Sequence, residues 1–99
     1  MAEQRARTKG AFTFLEAEVC TGLTFAVIAS QANDENKIRR NSLAAQRAYD
    51  TVCHFTPRVS LTPEESRELE PQLKQLRHEL NALRQWLPAP RKTPRRRAK

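Results

Sequence analysis

The chain predicts an all-α fold, a three-helix bundle, and three observations carry that expectation. The stretch LTPEESRELEPQLKQLRHELNALRQWL places leucines at Leu69, Leu73, Leu76, Leu80, Leu83 and Leu87. Their alternating spacing of four and three makes the seam of an amphipathic helix. Two earlier segments repeat apolar residues at the same intervals. Gly22 is the only glycine between Ala11 and Leu87, so the hairpin turns of a multi-strand sheet have little to form from.

The first helix is expected to begin near Thr8–Phe12 and to end near Ala32. Phe12, Leu15, Val19, Leu23 and Ala26 share one face at about 100° per residue. A second stripe of Phe14, Thr21, Phe25 and Ile28 lies well round from the first. Glu16 and Glu18 are its only charges from Ala11 onward. A helix apolar on two sides is either wedged between two neighbours or faces another protein. The bundle favours the wedged arrangement, and Phe14, Phe25, Ile28 and Leu43 are the candidate protein-interaction residues if a face is left free.

Asn33-Asp34-Glu35-Asn36 is a break, and Asn33 or Asp34 can cap a second helix running to about Phe55. Its core face is Ile38, Ala45, Tyr49 and Val52, with Ser42 between and Ala48 at the margin. Arg39, Arg40, Arg47 and Asp50 lie opposite, and Leu43 falls among them as an exposed leucine. Pro57 forces Thr56 out of helical geometry and closes the helix.

The leucine-rich helix starts with Thr62 as cap, Pro63 at the first helical position and Glu65 completing a capping box. Acidic Glu64, Glu65, Glu68 and Glu70 suit the positive end of the helix dipole. Leu61 is placed to fold back on the first turn. Pro71 removes one helical hydrogen bond, and the unbroken leucine phase across it predicts a continuous helix kinked near Pro71 rather than two helices. Pro88-Ala89-Pro90 should stop it.

At the second helix, Ala45, Tyr49, Val52 and Pro57 have the spacing of a small residue, an aromatic, a small residue and a closing proline. Gly22 and Phe25 add a glycine-to-aromatic step in the first helix. Together they resemble a single tetratricopeptide-like helical hairpin. The resemblance implies a helical fold and brings no catalytic residue. Val52 stands where the repeat has alanine, its front-end tryptophan is missing, and the half-patterns sit roughly eleven residues too far apart for a ~34-residue repeat. The runs TGLTFA and RRNSLAAQRAYDTV are also similar to short uncharacterised bacterial helical proteins.

Three domains of behaviour follow: residues 1–10 as a disordered N-terminus, 11–87 as the three-helix domain, and 88–99 as a disordered basic tail. The formal charge is +7, and Arg91, Lys92, Arg95, Arg96, Arg97 and Lys99 supply six of those charges. Residues 11–87 hold nine basic against ten acidic side chains, so the domain itself is nearly neutral. The six tail cations are the candidate nucleic-acid or anion-binding residues. With no aromatic to stack on bases, such binding would be insensitive to sequence.

Cys20, Cys53, His54 and His78 are the only soft metal ligands, and none has the paired spacing of a zinc site. No metal or cofactor is expected, and the cysteines read as buried structural thiols. No glycine-rich phosphate loop occurs, and the glutamates belong to a helix start, so the chain is not expected to be an enzyme. Val19–Asn33 is a fifteen-residue uncharged run, too short to span a bilayer. No signal peptide is visible, so no transmembrane segment and a cytoplasmic setting are expected. The functional expectation is a non-enzymatic protein-interaction module whose partner is another protein or a second copy. The alternative is a small, sequence-nonspecific nucleic-acid-binding accessory protein acting through its tail.

Overall fold

The structure, a computed structural model, describes the backbone of residues 2–88 and the side chains of residues 10–88. Three helices follow one another: α1 (Ala2–Gln31), α2 (Glu35–Phe55) and α3 (Pro63–Ala82). There is no strand among the described residues. Short 3₁₀ turns at Thr56–Arg58 and Arg84–Trp86 follow α2 and α3.

α1 starts at Ala2, ahead of the expected Thr8–Phe12, because residues 2–9 are mostly strong helix formers without proline. It ends at Gln31, and Asp34 caps α2 by accepting from the Lys37 backbone N–H at 3.2 Å. The intervening segment is so short that α2 must run back along α1. Phe14, toward the middle of α1, accordingly meets Phe55 at the end of α2.

α2 closes at Phe55, but not by the expected route: Thr56 keeps helical geometry at φ −50°, ψ −48°, the 3₁₀ turn carries the chain through Pro57, and only Val59 becomes extended. The Thr56 hydroxyl donates to the Val52 carbonyl. The expected capping box opens α3. Glu65 N–H donates to Thr62 Oγ1 at 3.1 Å, and Thr62 N–H donates to Glu65 Oε1 at 3.0 Å. Pro71 lies inside α3, which runs through it as one helix. The far end differs from expectation. α3 stops at Ala82, ahead of the prolines, because Leu83 leaves helical geometry at φ −100°, ψ 12°. A 3₁₀ turn then takes over, with Trp86 N–H donating to the Leu83 carbonyl.

The core draws on all three helices. Leu15, Val19, Ala26 and Ala29 come from α1; Ser42, Ala45, Ala48 and Val52 from α2; and Leu69, Leu76 and Leu80 from α3, with Leu83 just after it. α1 packs on both other helices, most extensively on α2. α2 contributes mostly small residues to the core, and α3 contributes leucines. At Gly22 all three meet: an added Cβ would lie 2.7 Å from Leu76 Cδ2 and 3.1 Å from Ala48 Cβ. A side chain here would oblige the end of Leu76 to move and Ala48 to give way by a few tenths of an ångström. Phe12, Leu23, Ile38, Tyr49, Leu61, Leu73, Trp86 and Leu87 pack half-buried around this core.

Candidate interaction surface

With one side of α1 committed to α2 and α3, the opposite side faces outward from Gly10 to Gln31. Thr13, Phe14, Ala17, Cys20, Thr21, Thr24, Val27, Ile28 and Gln31 are all exposed, and none carries a charge. Glu16 and Glu18 lie half-buried at the margins of this face. Phe14, Val27, Ile28 and Phe55 are the large apolar side chains left most open, at 45%, 47%, 39% and 41% exposure.

The polar groups on this face are partly tied down. The Thr24 hydroxyl donates to the Cys20 carbonyl at 2.9 Å. A hydroxyl already bonded to its own backbone is cheaper to cover than a free one. At one end of the face Phe14 meets Phe55 edge-on with centroids 6.0 Å apart, and Phe55 meets His54 edge-on at 4.8 Å. This aromatic group ties the rim of α1 to the end of α2.

The four apolar candidates do not form one patch. Phe14 and Ile28 stand on the outward face of α1. Phe25 leans back and packs on the core instead. Leu43 is half-buried rather than exposed, and it is not among the apolar residues packed on the core. The basic candidates Arg91, Lys92, Arg95, Arg96, Arg97 and Lys99 lie outside the described residues. Val27 and Phe55 belong to the surface without having been singled out. The signal available for Val27 was its place in the uncharged run from Val19 to Asn33.

Both cysteines correct the expectation of buried thiols, because Cys20 and Cys53 are exposed. Each follows a fully buried residue, Val19 or Val52, and one helical step turns it about 100° away from the core. Cys53 lies against the phenol of Tyr49. Burial pushes that phenol above its ordinary range, and the interaction with Cys53 adds to the rise. Among the described residues, no three His, Cys, Asp or Glu side chains are grouped to hold a metal ion. One open hollow of about 270 Å³ lies between Thr56, Leu61, Ser66, Leu69, Glu70 and Leu73. Glu70 is its only acid or base, which leaves no proton-transfer partner beside it.

The segment Gly10–Gln31 is 22 residues long and, by length and composition alone, apolar enough to cross a membrane. It exceeds the fifteen-residue uncharged run because extending it toward the N-terminus adds only Glu16 and Glu18. The core helix of a soluble protein and a signal sequence meet the same criterion, so length and composition assign it no location. No family model, curated protein or solved structure matches the chain.

Proposed function

We propose that the chain is a non-enzymatic helical interaction module that offers the outward face of α1 to another polypeptide. The observation carrying this reading is the absence of charge along that face, in a chain where 29% of residues are charged. A solvated helix face ordinarily holds the charges, as the outer side of α3 does. A face without them costs little to dehydrate and gains from being covered. The tetratricopeptide-like spacing of Ala45, Tyr49, Val52 and Pro57 adds to the reading. A cytoplasmic setting goes with it.

The test compares what the full chain and the Val27→Glu/Ile28→Glu variant retain from an extract of the native host. Both substitutions sit at exposed positions, so the fold should survive, as circular dichroism would check. Loss of specific partners on introducing the two carboxylates is expected. Partners retained equally by both forms would remove α1 from the argument.

A second reading has its own support in sequence, the six cations within residues 88–99. A flexible polycation binds duplex DNA or RNA by releasing counterions. If all six engaged, log K against log salt would fall with a slope of about −5. Deleting residues 88–99 should abolish such binding. Equal affinity and slope without the tail would place binding on the helices.

A further inference from the structure

We propose that the partner of the outward α1 face is a second copy of this chain, with two α1 helices packed antiparallel about a two-fold axis beside Cys20 and Thr21. This rests on the reading of that face as an interaction surface and names its occupant.

The first argument is the order of residues along the face. In an antiparallel pair centred between Cys20 and Thr21, each exposed residue meets a definite residue of the other copy. Cys20 faces Thr21, Ala17 faces Thr24, Phe14 faces Val27, Thr13 faces Ile28, and Gly10 faces Gln31. Every member of these pairs is exposed in the single chain. The small residues fall together at the centre, where helix axes approach closest, and the bulky ones fall together toward the ends. A two-fold interface requires this self-complementarity, because each patch must fit itself.

Charge excludes strongly charged occupants. The face offers no carboxylate to the basic tail of its own chain and no cation to an acidic partner. A strongly charged segment docked here would lose hydration without gaining an ion pair. An identical copy brings no charge. A bilayer also accepts an uncharged helix, but insertion of α1 would strip Leu15, Val19 and Gly22 from α2 and α3. The Leu76 seam would then be left without the helix that covers it.

The area suits a weak association. A 22-residue helix face extends ~33 Å and is about 10 Å wide. Two such faces cover roughly 660 Å², the size of a transient contact rather than of a permanent one. The dimer should therefore be reversible and dependent on concentration.

The experiment uses the full chain in sedimentation over a wide concentration series, beside Thr21→Glu. That substitution brings two carboxylates together beside the axis, at a position exposed in the single chain. Reversible dimerisation of the native chain, lost in Thr21→Glu with helical circular dichroism unchanged, is expected. In parallel, Cys53→Ser and Cys20→Ser are exposed to a mild oxidant. Both thiols are open to solvent, so Cys53 measures random collision. Cys20 should form the intermolecular disulfide many-fold faster.

A chain that stays monomeric overturns the proposal, as does a dimer indifferent to Thr21→Glu or equal cross-linking through the two cysteines. Flotation of the monomer with phosphatidylcholine vesicles would assign the face to lipid instead. A monomer that retains a host protein lost in Thr21→Glu would sink self-association and keep the interaction reading. A monomer whose host partners ignore all face substitutions would sink both.

Discussion

α1 and α3 each bury one stripe, yet they present opposite outsides. α3 has Glu64, Arg67, Glu68, Glu70, Lys74, Arg77 and His78 exposed around a leucine seam. Its inward direction is decided by hydrophobicity alone, since only one face can leave water. α1 is apolar or uncharged nearly all round, so hydrophobicity does not choose. Size chooses instead. Gly22, Ala26 and Ala29 turn inward, where α2 brings Ser42, Ala45 and Ala48, while Phe14, Val27 and Ile28 stay outside. Two bulky faces would hold the helices apart, whereas two small ones let the backbones close up and leave a groove for the leucines of α3. The comparison shows that an amphipathic helix is oriented by solvent and a doubly apolar one by its neighbour.

The largest effect should come from cutting the α3 seam at its contact with α1. Leu76 is fully buried against Gly22, so Leu76→Ala should cost about 2–5 kcal/mol in chemical denaturation. That is a large share of the ~5–15 kcal/mol a domain has. Gly22→Ala should cost about 1–2 kcal/mol, because overpacking outweighs the gain in helix propensity. In the Leu76→Ala background the same change should cost much less, since the tighter of its two obstacles has gone. Additive costs in that double-mutant cycle would show that Gly22 is not selected by packing.

Within α3 the comparison sharpens at Pro71, which is exposed inside a continuous helix. Pro71→Ala restores the donor to the Arg67 carbonyl and should raise stability by about 1–2 kcal/mol, after the greater freedom of the unfolded chain is counted. Thermal unfolding checks it, and a loss of stability would mean that proline opens a separate helix. In α2 the hydroxyl of Ser42 is buried with no hydrogen-bond partner among the described residues. Ser42→Ala keeps the small size that α1 needs and removes the unsatisfied group, so it should gain about 1 kcal/mol. A matching loss would show that size was not the reason for serine. Smallest is Val27→Gln on the open face of α1, expected within about 0.5 kcal/mol of the native chain by denaturant titration.

How much was legible varies by element in the same physical way. The Thr62–Glu65 capping box and the seam of Leu69, Leu76, Leu80 and Leu83 were readable because each rests on local chemistry or on one strong contrast between apolar and polar faces. The end of α3 was not, since Leu83 keeps the leucine spacing while its backbone has already left the helix. The cysteines were misread for a related reason. A thiol beside a buried valine is apolar enough for either side, and only the packing angle of the helix turned it outward.

The candidate surface divides likewise. Sequence alone determined that α1 carries no charge between Val19 and Asn33, that three helices must share one core, and that the cations gather at the chain's end. Those are properties of composition and period, which every conformation of the chain shares. Which side of α1 remains open was decided only in the tertiary structure. There Gly22 admits Leu76 and Ala48 to the backbone itself, and that approach fixes the rotation of α1 and with it the outward place of Phe14, Cys20, Val27 and Ile28. The choice depends on where two surfaces touch, a quantity no single helix possesses before it meets its neighbours.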